Sequence, residues 1–266
     1  MAAVSDIGSV VRLGSFNIRF DNPADGPDAW EHRREQVVDV IQRQCPDVLA
    51  VQECLPHQAA FLRDRLPEFA FVGVGRDDGV RGEMVPLFVR RDRFEVVTEG
   101  HFWLSDTPHL PGSRSWGNSV PRMTSWAALR SVAVPGQMLW AFSTHFDHRS
   151  IEARQRAAAL MRRWVDALGE RQPVVVLGDL NAEPGSPELA PLFGPPSPTR
   201  LIDLLASLPE GTHHHFTGRP LGRRIDWLLA TFHVMPRAVQ IDRTASAGRY
   251  PSDHFPVFAE VELMGR

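Results

Sequence analysis

The segment PVVVLGDLN, residues 173–181, places two polar side chains directly after a run of apolar residues. A short apolar run of this kind is typical of a buried strand. Asp179 and Asn181 follow at the point where such a strand ends. Ligands of α/β enzymes bind beyond the carboxyl ends of the strands, so the segment predicts a buried strand that ends at a binding site.

The same arrangement recurs at six other places in the chain. Each is a short apolar, strand-like run with a carboxylate, amide or imidazole side chain at one end. The residues concerned are Asn17 after VVRLGSF, Glu53 after DVLAVQ, Glu83 before MVPLFVR, His145 after MLWAFST, Asp226 at the start of IDWLLA, and Asp253 with His254 before FPVFAEVEL. The candidate functional residues are therefore predicted to lie at the ends of strands.

Three segments have the i, i+3, i+4 spacing of apolar residues that indicates an amphipathic helix, namely residues 31–44, 58–66 and 151–168. Because these helices alternate with strand-like runs, the sequence favours an α/β or α+β fold. Two stretches rich in Gly, Pro, Ser and Asp, residues 92–121 and 183–222, are predicted to be loops. The proline-rich residues 194–198 are predicted to form a surface loop within the second stretch.

The composition excludes several classes of protein. The chain has 266 residues, of which 43% are hydrophobic and 23% charged, as in ordinary globular proteins. A net charge of −3 supplies no overall positive field, so contact with nucleic acid would need a local basic patch. No apolar stretch reaches the roughly 20 residues of a membrane span, and the N-terminus does not resemble a secretory signal. Cys45 and Cys54 match no zinc or redox spacing, so we expect a cytoplasmic protein.

Carboxylates and histidines beside such apolar strands are costly to bury unless they have partners or a metal ion. Taken singly, each candidate has a structural explanation: Glu53 as a helix cap, for example, or Asp179 as part of a turn. Taken together, they favour a functional site. Carboxylate and amide oxygens without thiolates suit a hard cation such as Mg²⁺ or Mn²⁺. A carboxylate to orient water, with amide and imidazole donors for phosphate oxygens, indicates phosphoester hydrolysis.

Seven motifs, in this order, make the chain resemble the endonuclease/exonuclease/phosphatase superfamily of metal-dependent phosphoesterases over nearly its whole length. They are SFNIR at Asn17, VQE at Glu53, GE at Glu83, STHFDH at His145, GDLNAEPGS at Asp179 and Asn181, RRIDWLL at Asp226, and SDHFPV at Asp253 and His254. The resemblance implies a four-layered α/β sandwich with two packed mixed sheets flanked by helices. It also implies a single domain over residues 1–266 with its site at one end of the sheets.

The resemblance also implies roles for the motif residues. Asn17 and Glu53 would hold or support the metal, and Asp253 would support the metal or its water. Asp179 would position or deprotonate the attacking water, and Asn181 would contact the phosphate. Glu83 would orient His145, and Asp226 would orient His254. Since a carboxylate partner favours a charged imidazole, both histidines are expected to be charged donors to the phosphate.

Other polar residues are candidates for the substrate pocket. His148, Arg122, Trp116, Asn118 and His101 lie in segments that resemble one bacterial branch of the superfamily. The consecutive residues His213, His214 and His215 cannot all reach one ion from an extended chain, although one of them could face the site. Arg219, Arg223 and Arg224 form the densest basic patch near the motifs, either as an anion-binding surface or as a solvated loop.

The sequence thus predicts a Mg²⁺- or Mn²⁺-dependent hydrolase of phosphate esters, with a phosphodiester favoured as the substrate. A DNA or RNA nuclease, including the abasic-site type, is an alternative that the negative net charge disfavours. An inactive binding scaffold with the same fold is a further alternative. It is disfavoured because every motif position holds a residue able to perform the chemistry.

Overall fold

A computed structural model describes residues 10–194 and 199–264, which form twelve strands and four α-helices. The strands are β1 Val10–Asn17, β2 Val48–Gln52, β3 Phe69–Val72, β4 Leu87–Arg90, β5 Phe94–Trp103, β6 Met123–Ser131, β7 Met138–His145, β8 Val174–Asp179, β9 Ile202–Asp203, β10 Asp226–Ala230, β11 Val234–Ile241 and β12 Val257–Leu263. The helices are α1 Trp30–Gln44, α2 Pro56–Arg65, α3 Ile151–Gly169 and α4 Ala190–Phe193.

The strands form two mixed six-stranded sheets. The first has the order β11-β12-β1-β2-β4-β3, and the second has the order β5-β6-β7-β8-β10-β9. The two central strands of each sheet are parallel, β1 with β2 and β7 with β8, and they are flanked by antiparallel neighbours. Each sheet therefore has, at its centre, two adjacent carboxyl ends.

Apolar side chains fill three layers of core. Residues of both sheets, such as Leu13, Ala50 and Leu177, pack together between the sheets. On the outer face of the first sheet, Ile41 of α1 belongs to the core that includes Phe16. Helices α3 and α4 cover the outer face of the second sheet in the same way. The predicted four-layered α/β sandwich is confirmed.

The three predicted helices are present with small changes in their limits. Helix α2 begins at Pro56, a favoured first helical position, and the side chain of Gln58 accepts a hydrogen bond from Leu55 N. Helix α3 begins after Ser150, whose Oγ accepts a hydrogen bond from Ala153 N. Among the helices of the described ranges, none is long and apolar enough to cross a membrane.

Part of the predicted loop at residues 92–121 is wrong, because it contains the ten-residue edge strand β5. An edge strand exposes much of its surface, so its Glu and Thr residues hide the apolar alternation in the sequence. Within residues 183–222, the short elements α4 and β9 interrupt the predicted loop. Of the proline-rich surface loop predicted at 194–198, residues 195–198 lie outside the described residues.

The register of the strands brings the motif residues to one end of the sandwich. His145 at the end of β7 is paired with Asp179 at the end of β8. Asp179 is paired in turn with Asp226 at the start of β10. In the first sheet, Asn17 at the end of β1 is paired with Gln52, so Glu53 follows directly. Because these ends meet at the same edge, the site is assembled from both sheets.

Gly178 allows β8 to approach β7 closely next to Asp179. A Cβ atom at this position would lie 2.0 Å from the carbonyl oxygen of Thr144. We expect Gly178→Ala to lower the free energy of unfolding by about 3 kcal/mol, because backbone atoms must shift to relieve the clash. Chemical denaturation measures the change.

The matched control is Gly136→Ala. Gly136 also has a positive φ, 79°, but no neighbouring atom lies within 4 Å of the point that a Cβ atom would occupy. That variant should lose only the roughly 1 kcal/mol that a left-handed alanine costs. Equal losses in the two variants would contradict the steric role of Gly178.

Candidate active site

Asn17 links the two sheets at the centre of the site. Its Nδ2 donates to Glu53 Oε1 over 3.0 Å and to Asp179 Oδ2 over 3.1 Å. Its Oδ1 accepts from the backbone N–H of Arg19 at 3.0 Å. Since both polar atoms of the Asn17 side chain are engaged within the protein, Asn17 is placed to support the carboxylates around it.

Two further carboxylates border the pocket. Glu53 has a positive φ of 57° and accepts a hydrogen bond from Phe20 N at Oε2. Asp253 is buried, with its Oδ2 3.7 Å from Nε2 of His213. Burial opposes ionisation of Asp253, but the nearby His213 ring and the charge of His254 lower its pKa overall. Asp253 is therefore a carboxylate in this site.

His254 has the predicted carboxylate partner. Its Nδ1 donates to Asp226 Oδ2 over 2.8 Å, and its Nε2 lies 3.9 Å from Asp179 Oδ2. Burial disfavours the charged ring, but the carboxylates of Asp226, Asp253 and Asp179 outweigh burial and raise the pKa of His254 to about 10. His254 is therefore an imidazolium at neutral pH.

His145 differs from this expectation. Its partner is Asn181, whose Nδ2 donates to His145 Nε2 over 3.0 Å, whereas Glu83 forms an ion pair of 2.7 Å with Arg76. Burial, followed by the positive charges of Arg122 and Arg76, holds the pKa of His145 well below its usual value. The predicted Glu83–His145 pair and the predicted charge on His145 are thus wrong, because guanidinium groups compete for the carboxylate and repel a charged ring.

Asp179 lies between these groups. Asn181 N donates to its Oδ1 over 2.8 Å, and His145 Nε2 lies 3.5 Å from its Oδ2. Burial and the neighbouring Asp226 raise the pKa of Asp179 to about 7, although His254 opposes the shift. A carboxylate with this pKa can accept a proton near neutral pH.

Of these residues, six line a pocket of about 330 Å³, namely Glu53, Glu83, His145, Asn181, Asp253 and His254. Its lining also contains five cationic or imidazole side chains from loops and strand ends, namely Arg19, Arg76, Arg122, His148 and His213. Arg122 and His148 were pocket candidates from sequence, whereas the choice among the histidines of 213–215 was open. Arg19 and Arg76 were missed; Arg19 belongs to the SFNIR motif, which is the one signal that could have indicated it.

Other candidates lie elsewhere. His214 is buried against Phe255, and His101 contacts Ser125 on the outer strands of the second sheet. Of the three arginines at 219, 223 and 224, Arg224 is buried in an ion pair with Asp203, and the exposed Arg223 pairs with Glu183. Trp116 donates to Asp106 and does not line the pocket.

The site suits a divalent cation. Four carboxylates, those of Glu53, Asp179, Asp226 and Asp253, meet here without a thiolate, which is the ligand chemistry of Mg²⁺ or Mn²⁺. A carboxylate oxygen of Asp179 lies within 4.8 Å of a carboxylate oxygen of Asp226. Asp226 Oδ1 is buried without a hydrogen-bond partner among the described residues. Such a concentration of buried negative charge is stabilised by a cation.

A two-sheet sandwich that carries paired carboxylates and imidazoles at one end is a phosphoesterase fold. The family model described as Endonuclease/Exonuclease/phosphatase family matches residues 14–254. The chain therefore belongs to the Endonuclease/Exonuclease/phosphatase family, as its motifs predicted.

Solved structures support this assignment. The endonuclease/exonuclease/phosphatase from Bacteroides vulgatus is 32% identical with a TM-score of 0.89, and the match covers 96% of this chain and 99% of that one. A mannosyl-6-phosphatase from Bacteroides thetaiotaomicron is 28% identical with a TM-score of 0.85, covering 94% and 99% of the two chains.

A curated relative, an uncharacterized protein of Acanthamoeba polyphaga mimivirus, is 26% identical over 165 residues. The match covers 58% of this chain and spans 60% of the viral protein. The shared part is thus less than two thirds of that relative.

The raised pKa of Asp179 predicts a stabilising but inactivating substitution. Its folded pKa of about 7 exceeds the unfolded value near 3.8, so ionised Asp179 costs folding free energy that is absent below pH 4 and fully present above pH 7. In metal-free buffer, Asp179→Asn should raise the free energy of unfolding by about 1–2 kcal/mol at pH 8 and by little at pH 4.

Denaturation at the two pH values measures the difference, and Asp39→Asn on an exposed face of α1 is the control, with changes within about 0.5 kcal/mol. An Asp179→Asn variant less stable than the wild type at pH 8 would show that its neighbours favour the ionised carboxylate.

Proposed function

We propose that this protein is a divalent-metal-dependent phosphoesterase that hydrolyses its substrate by in-line attack of water. The observation that carries the proposal is the environment of Asp179. It is a buried carboxylate with a pKa of about 7, held by hydrogen bonds from Asn17 and Asn181, and it faces the charged His254. A proton acceptor thus lies next to a cationic donor that lines the pocket.

The site residues would have different roles in hydrolysis. Asp179 would orient the attacking water and accept its proton. His254, held by Asp226, would donate to a phosphate oxygen and stabilise the charge that develops there. Neutral His145 accepts from Asn181 and holds that side chain at the pocket wall, where Asn181 would contact the phosphate.

Glu53 and Asp253 are the residues that would hold the cation, with Asn17 fixing the orientation of Glu53. A bound Mg²⁺ or Mn²⁺ would polarise a phosphoryl oxygen and offset its negative charge. The charged His254 lies next to Asp226 and Asp179, and the guanidiniums of Arg76 and Arg122 line the same pocket.

The size of the pocket supports a compact phosphate ester over a long nucleic acid, since about 330 Å³ is at the lower end of ordinary small-molecule sites. Two of the three arginines near the motifs, Arg223 and Arg224, are in ion pairs within the fold, which further disfavours a nuclease. We propose a phosphodiester as the substrate. A phosphomonoester is the second candidate, because a mannosyl-6-phosphatase shares 28% identity and the whole fold. A cytoplasmic location stays a prediction.

The first experiment measures hydrolysis by metal-stripped protein with and without Mg²⁺ or Mn²⁺. The substrates are a chromogenic diester, the matching monoester, and single-stranded, duplex and abasic oligonucleotides. Metal-dependent turnover of the small esters is the expected result. Preferred cleavage of oligonucleotides would favour the nuclease. Absence of turnover with every substrate and metal would favour the inactive scaffold and overturn the proposal.

Substitution of the central groups tests their roles. We expect Asp179→Asn and His254→Gln to lower kcat/KM by about 10²–10⁴-fold, the usual contribution of a positioned acid or base. Asp39→Asn and His32→Gln, both on exposed faces of α1, should keep wild-type rates. Circular dichroism checks that the variants fold. Near wild-type turnover in either site variant would contradict the assignment.

The metal assignment predicts a separate effect for Glu53. Glu53→Gln keeps the size of the side chain but removes its charge, so about tenfold or more Mg²⁺ should be needed for half-maximal activity. Thermal unfolding gives an independent reading, because Mg²⁺ should raise the Tm of the wild type and raise that of the variant less. An unchanged requirement for Mg²⁺ would place the cation elsewhere.

A further inference from the structure

Arg122 is a buried cation, and two of its guanidinium nitrogens have no hydrogen-bond partner among the described residues. It directly precedes β6, lines the pocket and is only 5% exposed. Its Nη2 donates to His148 Nδ1 over 2.9 Å, and its Nε lies 3.8 Å from Asp147 Oδ2, too far for a hydrogen bond. Nε and Nη1 have no hydrogen-bond partner among the described residues. A buried charge in this condition is costly unless something else binds it.

Among the described residues, Arg122 has no carboxylate hydrogen-bonded to its guanidinium. Arg76, the other guanidinium on this wall, takes the carboxylate of Glu83 in an ion pair of 2.7 Å. The carbonyl oxygen of Arg76 accepts a hydrogen bond of 2.6 Å from Nε1 of Trp103. Asp147 is occupied at Oδ1 by the N–H groups of Arg149 and Ser150 at the start of α3. Glu83 and Asp147 therefore offset the charge of Arg122 without a hydrogen bond to it.

This wall lies beside the hydrolytic residues without contacting them. Arg122, Arg76 and His145 border a small cavity, and His145 turns its Nε2 away from it towards Asn181 and Asp179. One uncharged imidazole ring thus separates the guanidiniums from the water-activating carboxylate. Arg76, Arg122 and His145 also line the pocket of about 330 Å³.

We propose that Arg122 binds a second acidic group of the substrate, distinct from the phosphate ester that is hydrolysed. Substrates would then be compact phosphate esters that also carry a phosphate or a carboxylate. The planar guanidinium suits both groups, because its adjacent N–H donors match two oxygens of one oxyanion. Paired Arg76 would support the same group through its charge. This inference rests on the proposed function for the reaction at the other end of the pocket.

Binding tests the inference without turnover. Calorimetric titration of metal-free protein compares a propylene-bridged diphosphonate with propylphosphonate, which lacks the second acid. We expect the wild type to prefer the diphosphonate, and Arg122→Gln to reduce the ratio of the two affinities by about 10- to 100-fold, the worth of a charged hydrogen-bond pair. Arg122→Lys should restore only part of the ratio of the two affinities, since lysine keeps the charge but lacks the paired N–H donors of the planar guanidinium.

Kinetics give the second reading. The active substrate of the first experiment is prepared in three forms. Its leaving alcohol carries, at one position, a neutral hydroxymethyl group, a carboxylate or a phosphate. Wild-type kcat/KM should be higher with either acid than with the neutral group, and the two acidic forms identify which oxyanion is preferred. In Arg122→Gln the ratio of acidic to neutral substrate should fall by the same 10- to 100-fold.

Arg114→Gln, an exposed arginine of the loop before β6 that does not line the pocket, is the matched control and should leave both ratios unchanged. Thermal unfolding checks that the Arg122 variants fold. If Arg122→Gln does not fold, Arg122→Lys replaces it in the binding and kinetic measurements. A wild type without preference for the second acid, or an equal loss for all substrates, would overturn the inference. A retained binding ratio in protein that hydrolyses nothing would instead count against the proposed function alone.

Discussion

The side-chain amide of Asn17 donates to Glu53 and to Asp179, and these two hydrogen bonds join the sheets where their shared core ends. Asn17 is fully buried, so its donors are directed only at these carboxylates. The arrangement depends on strand register, because a slip of one residue would turn every side chain of β1 to the opposite face. The packed sandwich therefore holds the carboxylates at a spacing that flexible loops could not maintain.

Two histidines in this end of the fold have opposite electrostatic states. Both are buried, and burial alone would leave both neutral. His254 is surrounded by three carboxylates that outweigh the cost, whereas His145 faces two guanidiniums that add to it. One imidazole is consequently a cation beside Asp179, and the other is a neutral acceptor that positions Asn181. Division of acid and base functions between similar side chains follows from such differences in environment.

The core and the loops contribute differently to the site. Asn17, His145, Asp179 and Asp226 end or begin central strands, so the family fold positions them. Arg76, Arg122, His148 and His213 come from connecting segments and line the same pocket. The sheets are shared with the Bacteroides structures, whereas connecting segments are the parts of a fold that vary most among related proteins.

From sequence, three helices and the residues at the strand ends were predicted, because periodicity and the polarity of strand ends are local properties of the chain. The four-layered fold was predicted only through the resemblance to a known family. Edge strands such as β5 escaped prediction, since solvent replaces one of their neighbours and the apolar alternation is lost. The tertiary structure alone decided that Glu83 pairs with Arg76, that His145 is neutral and that Arg224 is buried. Those outcomes depend on competition between charges brought together from distant parts of the chain, in a medium where burial and distance set their strength.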